Sequence, residues 1–208
     1  MLHRNFAESA FTALDIETTG LSPKKSKIVE IAALKILPDG QSEHYQTLVD
    51  PKVHIPDSVV AIHGITDDMV CGKPSAETAV EGLVKFVGDS PLVLHNARFD
   101  MSFINAIMHK RHLQWSTPAV FDTLTLSRRA FPGLPSYSLV NLSRFFDFDT
   151  GHHHRALADC HYCAMLFEKI LEEFDASDAG FEEFIREYAA PVSLLGNLQP
   201  DFLQYNCE

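Results

Sequence analysis

Apolar and polar positions change rhythm several times along the chain, and each change marks an element. Residues 9–17 (SAFTALDIE) have strand character, and Gly20 with Pro23 ends the run in a loop, GLSPKKSK, that carries three lysines. Lys27 to Leu37 reads as a second strand, Pro38-Asp39-Gly40 as a tight turn and His44 to Val49 as a third strand, which predicts an antiparallel meander. After Pro51 the spacing becomes helical: a short segment over 57–62, then a helix capped by Ser75 and running to Val87. A strand over 91–95 (PLVLH) follows, then helical patterns over 98–112, 123–130, 137–146 and 155–173, with a short strand over 119–121. Five strands, grouped first and then alternating with helices, predict an α/β fold with a mixed five-stranded sheet flanked by helices. From Ala176 the chain holds one acidic amphipathic stretch, FEEFIREY, and a tail broken by Pro191 and Pro200. The expected organisation is one domain over residues 1–175 and a C-terminal appendage over 176–208.

Composition narrows the class. The chain has 208 residues, 46% apolar and 22% charged, as expected of a folded protein with enough length for one real core. No run approaches the ~18 consecutive apolar residues of a membrane span, and the polar start MLHRNFAES lacks a secretory apolar core. A cytoplasmic location is expected. Cys71, Cys160, Cys163 and Cys207 are too few and too irregular for a disulfide framework, in keeping with a reducing compartment. Seventeen basic against twenty-eight acidic residues give a net charge of −11, which argues against a broad basic surface that grips nucleic acid.

Some of those acids stand where acids are costly. Asp15 and Glu17 are two apart in an otherwise apolar strand, so both side chains share one face. There they lose hydration and repel one another unless a cation lies between them, or else the strand is an edge and they point into water. Asp100 follows the strand PLVLH and opens a helix, where the helix dipole alone would favour it. Asp159 lies early in the long helix RALADCHYCAMLFEKILEEF. Four carboxylates at strand ends and helix starts can converge at the carboxyl end of a sheet. Oxygen-only donors of this kind suit Mg²⁺ or Mn²⁺. Two such ions about 3.5–4 Å apart clamp the attacking and leaving oxygens of a phosphoryl displacement. Histidine is the natural base for the attacking water, and His154 stands five residues before Asp159, in the loop leading into the helix.

The runs FTALDIETTGL, LHNARFDMSFI and HRALADC, in this order and with these internal spacings, resemble the three motifs of the DEDDh branch of DnaQ-like 3′–5′ exonucleases. FDTLTLSRRAFPG, YSLVNLSRFF and IHGIT resemble further elements of the epsilon-type proofreading subunits of bacterial DNA polymerase III. The resemblance covers roughly residues 10–170. It implies an RNase H-like fold and hydrolysis that releases nucleoside 5′-monophosphates from a 3′ end. It places Asp15, Glu17, Asp100 and Asp159 as ligands of two divalent cations, Mg²⁺ or Mn²⁺, and His154 as general base. Thr18, Leu21 and His63 fall where such enzymes hold or wedge the terminal nucleotide. Leu21 reads equally as a core or loop residue, Thr18 as a strand-end hydroxyl and His63 as a satisfied turn histidine. Ser58 stands where the epsilon pattern has an acid, and Asp122 reads as a supporting residue rather than a ligand.

Three rival readings bear on these residues. Cys160 and Cys163, with His152, His153, His154 and His161 nearby, suggest zinc, yet the second cysteine pair is missing and both cysteines share a helix face suited to packing. A non-catalytic subunit that binds a polymerase or a nucleic-acid end would be expected to lack a ligand or the base, and none is missing. RNA 3′-end trimming remains the runner-up, because no residue identifies a contact to a 2′-hydroxyl. The expected partner is a nucleic-acid 3′ end, single-stranded DNA ahead of RNA, together with a DNA polymerase subunit and no membrane. The lysines of the 20–27 loop read as a phosphate contact or a solvated hairpin, and Phe181, Phe184 and Tyr188 as a polymerase-docking tail or a segment folded back on the domain. Two divalent ions would offset four of the eleven net negative charges, so affinity is expected to come from metals and local contacts at a strand end.

Overall fold

The computed structural model describes residues 10–116, 119–148, 155–174 and 189–191. Strands β1 (Phe11–Thr18), β2 (Ile28–Ile36) and β3 (Ser42–Leu48) form the expected antiparallel meander. β3 is polar and largely exposed, as suits a sheet edge. On the other side of β1 lie β4 (Leu92–Leu94), parallel to β1, and β5 (Ala119–Asp122), parallel to β4. These two strands are short and apolar because helices cover both their faces. The expected mixed five-stranded sheet is thus present, and a two-residue strand β6 (Ala190–Pro191) adds an antiparallel rung beyond β5.

Seven helices join these strands among the described residues: α1 (Asp57–His63), α2 (Asp67–Val70), α3 (Ala76–Val87), α4 (Ala97–Arg111), α5 (Thr123–Ala130), α6 (Leu139–Phe145) and α7 (Ala156–Phe174). Ser75 caps α3 as expected, its hydroxyl accepting from the Thr78 N–H at 3.2 Å. Helix α2 was not anticipated, since four residues are too few for a helical period to show. Its Val70 closes a small core with Val29, Ile55 and Ile65. No helix among the described residues is long and apolar enough to cross a membrane.

Strand alternation divides the core in two. Ala13, Ala32, Leu34, Val93 and Phe121 face α7, where Cys160, Phe167 and Ile170 meet them. Leu14, Ile31, Ala33, Leu92 and Leu94 face α3 and α4, against Leu83, Met101 and Ile104. Asp15 and Glu17 continue the row of Ala13, so the apolar α7 face of the sheet turns acidic toward the carboxyl end of β1.

Candidate active site

Asp159 lies in the first turn of α7, above that acidic end of β1. One carboxylate oxygen each from Asp15, Glu17 and Asp159 lie within 4.8 Å of one another. Asp100 is in the first turn of α4 and is 3% exposed. Its Oδ1 accepts from the Ile16 N–H at 3.1 Å, which anchors it on the backbone next to Asp15. Asn96 starts this turn with a left-handed φ of 67°, and its N–H is held by Asp122 Oδ1 at 2.9 Å. Asp122 also caps α5 through the Leu124 N–H at 3.1 Å and accepts from the Thr125 hydroxyl at 3.0 Å. These bonds make Asp122 a brace between the ends of β4 and β5.

Four carboxylates in so small a space disturb one another's ionisation. Burial raises Asp15 well above the ordinary carboxylate range, and the charges of Asp100, Asp159, Glu17 and Glu30 push it further. Glu17 is pushed up to about 8, first by burial and then by Asp159 and Glu30, with Arg155 opposing. Burial also raises Asp100, against the hydrogen bonds it accepts from its own N–H and that of Ile16. A cluster of hard oxygen donors that resists ionising on its own account fits a divalent cation, which would favour the charged forms.

Two residues of this region escaped the sequence reading. Glu30, in β2, is fully buried and lies directly opposite Glu17 in the β1–β2 ladder. Arg155, just before α7, forks onto it through Nη2 at 2.8 Å and Nε at 3.2 Å. A lone acid in the apolar strand IVEIAALKI, on the same strand parity as a candidate site, was the available signal for Glu30. Nothing in the sequence pairs it with Arg155, 125 positions away.

The remaining candidates divide. His152, His153 and His154 lie outside the described residues, as do Phe181, Phe184 and Tyr188. Thr18 is buried and its hydroxyl donates to the Gly20 carbonyl at 2.8 Å, holding the start of the β1–β2 loop. Leu21 is 67% exposed on that loop, which removes its reading as a core residue. His63 is 3% exposed at the end of α1, with Nδ1 accepting from the Ile65 N–H at 3.0 Å. Between them Gly64 takes a left-handed φ of 72° and bonds back to the Val60 carbonyl at 2.8 Å. The His-Gly-Ile run is therefore a helix-ending turn that drives Ile65 into the small core. Ser58 and the three loop lysines are exposed. Cys160 and Cys163 are both buried, and Cys160 Sγ donates to the Ala32 carbonyl at 3.3 Å. Burial raises both thiols, and the two side chains pack in the core between α7 and the sheet. Among the described residues the carboxylate trio is the one cluster with metal-binding geometry.

Fold and site together define a nuclease domain of the DnaQ-like 3′–5′ type. The Exonuclease family (RNase_T) matches residues 12–167, and the chain belongs to it. The epsilon subunit of DNA polymerase III from Aquifex aeolicus is 36% identical over 170 residues, covering 81% of this chain and 84% of that protein. A PolC-type DNA polymerase III from Halalkalibacterium halodurans is 33% identical over 185 residues, and there the matching region is 13% of the polymerase's length. Among solved structures, Exonuclease X in complex with 5′-overhanging duplex DNA is similar with a TM-score of 0.62 and 31% identity, covering 85% of this chain and 98% of that one. E. coli Exonuclease I in complex with a dT13 oligonucleotide shares the fold, with a TM-score of 0.70 at 19% identity over 81% of this chain and 42% of that one.

Proposed function

We propose that this chain hydrolyses phosphodiester bonds at the 3′ end of single-stranded DNA, releases nucleoside 5′-monophosphates and serves proofreading or repair. The observation that carries the reading is the convergence of Asp15, Glu17 and Asp159 within 4.8 Å, with Asp100 bonded beside them. These four would hold two divalent cations, Mg²⁺ or Mn²⁺, which when bound stabilise charge on the attacking and leaving oxygens. His154 takes the proton of the attacking water as general base. Thr18, Leu21 and His63 orient the terminal nucleotide, with exposed Leu21 as an apolar wedge on the β1–β2 loop. DNA as substrate draws support from the 31% identity to Exonuclease X, whose structure holds DNA. Association with a DNA polymerase draws support from the epsilon-subunit and PolC-type relatives. The catalytic domain is assigned to residues 1–175 and an appendage to 176–208, of which Ala190 and Pro191 pair with β5.

The test is release of mononucleotides from matched 3′-labelled single-stranded DNA and RNA with Mg²⁺ or Mn²⁺. Chelator and Asp15→Asn should each abolish release, and initial rates should favour DNA. Binding of the strand without release in either metal would sink the enzyme reading, and faster turnover of RNA would move the substrate to RNA 3′ ends.

A further inference from the structure

We propose that Glu30 and Arg155 are positioning residues that set the phase of α7, so that Asp159 meets the carboxylates of β1. The inference rests on the metal-dependent reading above.

The first N–H groups of a helix need acceptors from outside it. Arg155, at the cap position of α7, has only donors on its side chain and cannot supply one. Glu30 does so from 126 positions away, its Oε2 accepting from the Ala156 N–H at 3.2 Å. The same carboxylate takes the Arg155 fork, and Oε1 takes Gln46 Nε2 of β3 at 3.0 Å. Both oxygens of a fully buried acid are thereby engaged by β3, by the α7 cap and by a guanidinium that is 43% exposed. One turn later Cys160 bonds the Ala32 carbonyl, giving α7 a second attachment to β2. Asp159 falls between these two anchors, and its N–H makes an early helical bond to the Arg155 carbonyl at 3.1 Å. A rotation of the first turn would carry Asp159 away from Asp15 and Glu17, and the anchors oppose that rotation. Arg155 also sets a positive charge beside Glu30, which otherwise faces Glu17 as a like charge across the ladder.

Mn²⁺ binding by calorimetry and steady-state kinetics on single-stranded DNA, on the full chain, test the pair. Arg155→Ala should weaken Mn²⁺ binding and lower kcat by ~10–100-fold, the usual effect of losing an outer support of a metal site, with KM for DNA unchanged. Arg155→Lys keeps the charge but loses the fork, and should show smaller losses of both. Because Arg155→Ala leaves a buried acid unpaired and can fail to fold, Arg155→Lys decides the matter in that case. Wild-type Mn²⁺ affinity and kcat in a folded Arg155→Lys, or in Arg155→Ala when folded, would overturn the proposal. So would a rise in KM at constant kcat, which would make Arg155 a nucleic-acid contact. Failure of the wild type itself to bind Mn²⁺ or to release nucleotides would instead count against the proposed function.

Discussion

Asp100 Oδ1 accepts a hydrogen bond from the backbone N–H of Ile16, 3.1 Å away and 84 positions earlier in the chain. One carboxylate thus has two tasks: it completes the acidic cluster, and it closes the polar edge of β1 beyond the last rung shared with β4 at Ala13 and Val93. Asp100→Asn and Asp100→Ala should separate the tasks. The amide oxygen of Asn can still accept from Ile16, so Asn should abolish nucleotide release without lowering Tm. Ala orphans a buried N–H and should also cost about 1–3 kcal/mol of stability. Equal thermal stability of the two variants would show that the hydrogen bond contributes nothing.

The raised carboxylates tie stability to pH and metal. A group whose folded pKa exceeds its unfolded one stabilises the fold at low pH and ceases to do so as pH rises through the folded value. For Glu17 that window runs from 4.5 to about 8, and Asp15 and Asp100 act with the same sign. In EDTA, Tm should fall as pH rises toward 8, and the Tm gain on adding Mg²⁺ or Mn²⁺ should grow over the same range. Glu17→Gln should flatten the metal-free curve. A metal-free Tm that is level or rises above pH 6.5 would refute this.

His154→Ala should lower kcat by roughly 10²–10⁴-fold, the usual contribution of a general base, while calorimetric Mn²⁺ binding stays near wild type. An equal loss from His153→Ala, with His154→Ala innocuous, would transfer the role to the neighbouring histidine.

His95 links the end of β4 to the segment before α6. Its Nε2 lies 2.9 Å from the Tyr137 carbonyl and its Nδ1 3.0 Å from the Thr123 hydroxyl. A carbonyl can only accept, so Nε2 carries the proton, and in the neutral ring Nδ1 shares the Thr123 hydroxyl proton with the Leu94 carbonyl, 3.1 Å from the same oxygen. Burial lowers its pKa from 6.5 to about 4, against Asp122 and the Tyr137 bond. The stabilisation from neutral His95 is therefore present above pH 6.5 and lost as pH falls through 4, opposite in sign to the carboxylates. His95→Gln should cost about 1–3 kcal/mol at neutral pH by leaving buried partners unmatched. The Tm gap from wild type should narrow in acid; a constant gap would mean that His95 does not titrate with unfolding.

Local physics was enough for much of this molecule. A period of two put Asp15 and Glu17 on one face, helical spacing bounded α3, α5 and α7 to within a residue or two, and Ser75 marked its cap, because each depends on neighbours a few positions away. The order and spacing of the acidic motifs also pointed to the family that matches residues 12–167. Tertiary structure decided which distant groups meet. Asp100 bonds Ile16 across 84 positions and Glu30 caps α7 across 126, pairings created by sheet order and helix packing and carried by no local period. It also decided exposure, leaving Leu21 open on the β1–β2 loop and folding His63 into a turn, since burial depends on what the rest of the chain covers.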